Sequence, residues 1–159
     1  MNKKNSDRKQ LRDLLHLRSL WFIYSVKITT MKISTLFKGG HILHLSKDSF
    51  IHSNLIQSFL DQDYIIVRLD WNSLANDKLL IKSIYKQINA PDNFSINWNA
   101  LWDTLTDREF WFKKPSVIII ENSKRLLSDE KETEEVIFKE ILEDLPQDEL
   151  PFLVIYVDN

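Results

Sequence analysis

Ser116-Val117-Ile118-Ile119-Ile120-Glu121 is an unbroken apolar run of strand length, and Phe152-Leu153-Val154-Ile155-Tyr156-Val157 repeats the pattern. A strand with one wet face alternates apolar and polar side chains, because successive residues point to opposite sides. These two runs do not alternate. Strands covered on both faces read this way, as the central strands of a parallel sheet do. The segment between them supplies a crossover. Ile137, Phe138, Ile141, Leu142 and Leu145 form the apolar face of a helix over 132–145, and Pro146 stops it.

Upstream the pattern continues. Tyr64-Ile65-Ile66-Val67-Arg68-Leu69 is a third strand of β-branched character, and Asn76 caps a helix to about Ile88 with Leu80, Ile84 and Ile88 inward. Pro91 ends that segment. His41-Ile42-Leu43-His44-Leu45 predicts a further short strand. Ser46 or Asp48 can cap a helix running from there to about Leu60, with Ile51, Leu55, Ile56, Phe59 and Leu60 at core spacing. Strands alternating with helices give an α/β fold, a small parallel sheet built from right-handed crossovers.

The 159 residues make one domain of ordinary size, with 43% hydrophobic and 28% charged residues, as in globular rather than disordered chains. The absence of cysteine excludes disulfides, thiolate catalysis and Cys-ligated zinc. The net charge of -2 hides an asymmetry: residues 1–62 hold 10 Lys/Arg against 4 Asp/Glu, whereas residues 91–159 hold 7 against 16. An acidic C-terminal half argues against direct nucleic-acid binding there and for a basic protein partner.

Residues 1–38 read as a basic N-terminal extension, poorly ordered or mis-annotated. Asn2 to Arg18 is basic and polar, and Leu20-Trp21-Phe22-Ile23-Tyr24-Ser25-Val26 is too short to span a bilayer. The charged region is too long for a signal peptide and no small-residue cleavage site follows; a tail is favoured over the alternative, a basic amphipathic membrane anchor, and no membrane partner is expected. Met31 offers an alternative start, which would make 1–30 an over-extended reading of the gene. His41 and His44 have metal-pair spacing, yet on a strand that spacing points the rings to opposite faces, and no acidic or Cys ligand lies nearby. No metal site is inferred. Without a glycine-rich phosphate loop or a nucleophile pattern, neither a cofactor nor an enzyme is expected.

The helix beginning at Asn97 has two unlike faces. Trp98, Leu101 and Leu105 make a core stripe; Asn99, Trp102, Asp103 and Thr106 recur at i, i+3, i+4 and i+7 beside it. A large aromatic among hydrogen-bonding groups is unusual on a plain solvated face. It reads as a surface that docks.

Pro91-Asp92-Asn93-Phe94-Ser95-Ile96-Asn97-Trp98-Asn99-Ala100-Leu101-Trp102-Asp103-Thr104-Leu105-Thr106-Asp107 resembles the signature of barstar-like proteins, intracellular inhibitors of secreted ribonucleases. That signature runs proline, acidic residue, aromatic pair, glycine, acidic residue, Asn, a hydrophobe or Trp, then Asp-Ala-Leu, a further hydrophobe and Asp. The resemblance covers Tyr64 to Val157 and is absent before about Gly39. It implies a barstar-like domain at 63–159, with 39–62 an additional N-terminal β-α element.

The resemblance also implies roles. Asp103 would enter a ribonuclease active site in place of a substrate phosphate, since a carboxylate accepts charge-assisted hydrogen bonds from Arg, Lys and His⁺. Its alternative is a solvated helix aspartate. Trp102 would supply interface area, or simply core. Thr106 and Asp107 stand where family members contact the partner, and where a helix end needs capping or a turn. Glu140, in Phe138-Lys139-Glu140, matches a second acidic contact or is one more solvated charge. Asn99 replaces the usual Asp and so keeps an acceptor without the charge. Asn93 and Ser95 replace the usual aromatic and glycine of the loop.

Three departures within one contact surface point to a diverged partner. The expectation is a cytoplasmic immunity protein, monomeric when free, that blocks a basic ribonuclease or related toxin protein. The alternative is a non-inhibitory interaction module of the same fold.

Overall fold

The computed structural model describes residues 33, 40–74, 76–123, 132–147 and 150–158. The elements run β1 (Ile42–Ser46), α1 (Lys47–His52), α2 (Leu55–Asp61), β2 (Ile65–Asp70), α3 (Asp77–Gln87), α4 (Trp98–Thr106), β3 (Ser116–Glu121), α5 (Glu132–Glu143) and β4 (Phe152–Asp158). The four strands form one sheet in the order β1-β4-β3-β2, with every neighbouring pair parallel. The α/β fold is therefore the expected one, and the extra N-terminal β-α element is part of it. Its strand pairs with β4, Ile42 opposite Val154 and Ser46 opposite Asp158.

The order explains the apolar runs. From β2 through β3 to β4 the chain crosses the sheet in one direction, while from β1 to β2 it crosses in the other. Right-handed crossovers that run in opposite directions must place their helices on opposite faces. The core divides accordingly. On one face Val67, Leu69, Ile118, Ile120, Phe152 and Val154 pack with Leu80, Ile84, Leu101, Leu105, Phe138 and Leu142 of α3, α4 and α5. On the other, Val117, Ile119, Leu153, Ile155 and Val157 pack with Phe50, Leu55 and Phe59 of α1 and α2. Ile33, a helical residue within the segment read as an extension, is buried in this second cluster.

The expected single helix to Leu60 is in fact two. Ser46 caps α1 by accepting from Ser49 N–H (3.2 Å). At Ser53 the helix stops: the buried hydroxyl donates to the Phe50 carbonyl (2.7 Å) and accepts from Leu55 N–H (3.4 Å), a local bond that competes with helix continuation. Asn54 follows in the left-handed region at φ 50°, a conformation Asn tolerates better than most residues. The break rotates the apolar stripe. Ile51 and Leu60, expected in the core, are 61% and 55% exposed, and Phe50 takes the inward place.

Candidate partner-binding face

Asn97 sets the start of α4 by accepting from Ala100 N–H (2.9 Å), as Asn76 starts α3 through Leu79 N–H (3.0 Å). Leu101 and Leu105 are fully buried beneath α4, and the buried Thr104 hydroxyl is satisfied by the Ala100 carbonyl at 2.7 Å. Trp98, read as core, is half-buried. Its ring lies 5.9 Å from that of Phe138, and its indole N–H donates to the Glu134 carboxylate of α5. That bond ties α4 to α5.

Between the two helices runs a groove of about 240 Å³, lined by Trp98, Asn99, Trp102, Ile137, Glu140, Ile141 and Asp144. It brings together Asn99, Trp102 and Glu140, which lie on two separate helices. Its floor is indole and isoleucine; its rim is amide and carboxylate. Trp102 packs against the core while also lining the groove. Asp144, one helical turn beyond Glu140, adds a second carboxylate that the sequence reading did not single out. The i, i+4 spacing was the available signal.

Asp103 lies outside the groove, exposed on the outer face of α4, one turn after Asn99. Burial pushes the Tyr85 hydroxyl above its ordinary range, a hydrogen bond with Thr104 opposes that, and the charge of Asp103 adds to the upward push. Among the described residues no Lys, Arg or His pairs with Asp103, Glu140 or Asp144. Even Lys139, next to Glu140, is engaged with Glu135. Among the described residues, then, Glu140 and Asp144 in the groove and Asp103 outside it have no cationic partner.

The remaining residues are not brought into the groove. Thr106 donates back to the Trp102 carbonyl (2.9 Å), and Asp107 Oδ1 accepts from the backbone N–H of Glu109 (3.0 Å) and Phe110 (2.9 Å). Both serve the end of the helix and the turn after it. Asn93 is exposed in a turn closed by Phe94 N–H on the Pro91 carbonyl (3.1 Å). Phe94 holds that turn in place: its ring meets Tyr85 edge-on at 5.6 Å and Trp111 edge-on at 5.3 Å.

His41 and His44 make separate contacts. His41 Nε2 lies 2.9 Å from the Leu142 carbonyl, and His44 stacks on Tyr156 at 4.8 Å. Among the described residues no group of three or more His, Asp or Glu is placed to hold a metal ion, and no helix is long and apolar enough to cross a membrane. A larger pocket of about 590 Å³ lies between α3 and the loop before α4, lined by Lys82, Tyr85, Lys86 and Phe94 among others. Its lysines give it the opposite charge character to the groove, and none of the sequence-predicted site residues lines it.

Fold and face together define a small parallel α/β protein with an acidic, tryptophan-lined groove between α4 and α5. The chain belongs to the barstar family: the family profile described as Barstar (barnase inhibitor) matches residues 64–157, more than half of its length. Members of that family are non-enzymatic inhibitors, and membership points to binding of a barnase-like ribonuclease. No curated protein matches the chain. The matched region begins just before β2, so β1, α1 and α2 lie outside it.

Proposed function

We propose that this protein is a cytoplasmic inhibitor of a basic ribonuclease or related toxin, monomeric when free, which it silences by laying the outer face of α4 into the active site. Asp103 substitutes for a substrate phosphate, Trp102 fills apolar space beside it, and Glu140 with Asp144 extends the negative field along α5. Asn93, Asn99, Thr106 and Asp107 complete the contact surface.

The observation that carries this reading is that, among the described residues, no cation pairs with Asp103 on α4 or with Glu140 and Asp144 in the groove beside Trp98 and Trp102. A carboxylate with no neighbouring cation is available to an external one, and a face that gathers such charges from adjacent segments beside an aromatic surface suits a site evolved to hold phosphates. Charge complementarity also speeds association, so binding weakens as salt rises.

The test is direct. Purified protein is titrated into RNA-cleavage assays of basic microbial ribonucleases, barnase among them. Loss of cleavage at equimolar protein, relieved by Asp103→Ala and Glu140→Ala, supports active-site occlusion. Unchanged affinity in both variants sinks it. A second reading, a non-inhibitory module, is motivated by Asn93, Ser95 and Asn99, which depart from the family pattern. Recovery of a basic protein without nuclease activity, bound through the same face, would favour it.

A further inference from the structure

We propose that Phe110 is an apolar anchor of the same face, entering a recess on the partner beside the basic centre that receives Asp103, an inference that rests on the docking reading above. Phe110 is 69% exposed, the most exposed large hydrophobic side chain among the described residues. A lone exposed apolar residue is ordinary. What sets this one apart is the frame that holds it out.

The turn after α4 is pinned at every residue around Phe110. Asp107 Oδ1 accepts the N–H groups of Glu109 and Phe110, and Phe112 N–H closes on the Asp107 carbonyl at 3.1 Å. Arg108 reaches inward, its guanidinium 5.6 Å over the Phe152 ring and bonded to the Leu150 carbonyl. Trp111 turns in against Phe94, and Phe112 is fully buried 4.8 Å from Phe152. Phe110 alone of these aromatic rings points to solvent.

The same contacts set its neighbourhood. Trp111 and Phe94 link the turn of Phe110 to the loop of Asn93 and on to Tyr85 of α3. Phe110 lies in the turn that directly follows the last turn of α4, the turn that carries Asp103, and it does not line the groove beside α5. An aromatic ring on a rigid turn loses little freedom on binding, and large aromatic side chains dominate the centres of protein interfaces. The partner is accordingly a basic protein with an apolar recess next to its phosphate-binding centre.

Calorimetric titration against a panel of basic microbial ribonucleases, barnase included, tests this at two salt concentrations. Phe110→Ala is expected to weaken binding about 30-fold with an unchanged salt dependence and an unchanged Tm. Phe110→Trp is expected to restore most of the affinity, and Ile51→Ala, an equally exposed change on the opposite face of the sheet, to alter nothing. Asp103→Asn weakens binding and flattens the salt dependence. Affinity of Phe110→Ala within twofold of the parent, with Asp103→Asn still impaired, overturns the anchor and leaves the docking reading standing. Failure of the parent protein to bind any of the panel overturns both.

Discussion

Asp103→Asn separates binding from stability, because the two effects have opposite signs. The substitution keeps the shape of the side chain and removes its charge. In the free protein that charge has no cation partner among the described residues and sits in the last turn of α4, where the helix dipole disfavours a carboxylate. Folding stability should therefore stay constant or rise by about 0.3 kcal/mol.

In the complex the carboxylate would meet at least one cation. At about 4 Å that attraction is roughly 1 kcal/mol if the contact stays wet, and about 4 kcal/mol at the effective dielectric of a partly covered pair. The dissociation constant should rise by a factor of about 5 to 1000 on that basis. Titration calorimetry against the inhibited ribonuclease, with a urea melt of each free protein, reads both quantities. An unchanged dissociation constant would refute the reasoning. So would a marked loss of stability, since it would show that Asp103 is held by an internal contact.

Other consequences are local. Trp98→Phe keeps the packing on Phe138 but removes the indole donor to Glu134, and should cost about 1–3 kcal/mol in a urea melt. Phe59→Ala, which opens a cavity beneath α2 at a fully buried site, should cost about 3–5 kcal/mol, and a cost under about 1 kcal/mol would show that the N-terminal unit is not part of the cooperative core. The Tyr156 hydroxyl is pushed up to about 12, first by burial and then by the nearby charges of Glu143 and Glu135. Its folded pKa lies above its unfolded one, so the neutral phenol stabilises the native state below pH ~10, and that contribution disappears between pH ~10 and ~12. The stability of Tyr156→Phe should fall less steeply than the parent's over that window, which pH-jump unfolding can measure.

Tertiary geometry resolved two side chains that the spacing left open. Trp102 sits at the right interval for either core or surface, and only the placement of α5 beside α4 shows it packing on one edge while lining the groove with the other. Asp144 drew no attention in the sequence because one more acid on an acidic helix has no distinguishing neighbour; it acquires one only when Asn99 and Trp102 arrive from α4. Ile51 and Leu60 misled, since helical spacing assumes an unbroken helix. Ser53 and Asn54 break it through a side-chain bond and one left-handed residue.

The parallel α/β class, the strand positions, the cap at Asn76, the start of α4 at Asn97 and the family itself were legible in the residues alone. Burial on both faces, helix capping and a long ordered motif are local properties, and each leaves its mark in contiguous sequence. The edge pairing of β1 with β4, the covering of the second face by α1 and α2, the groove between α4 and α5 and the outward presentation of Phe110 were decided by the tertiary structure. Each of these depends on contacts between segments far apart in the chain, and whether a side chain is exposed or enclosed there is set by what packs beside it rather than by its own neighbours in sequence.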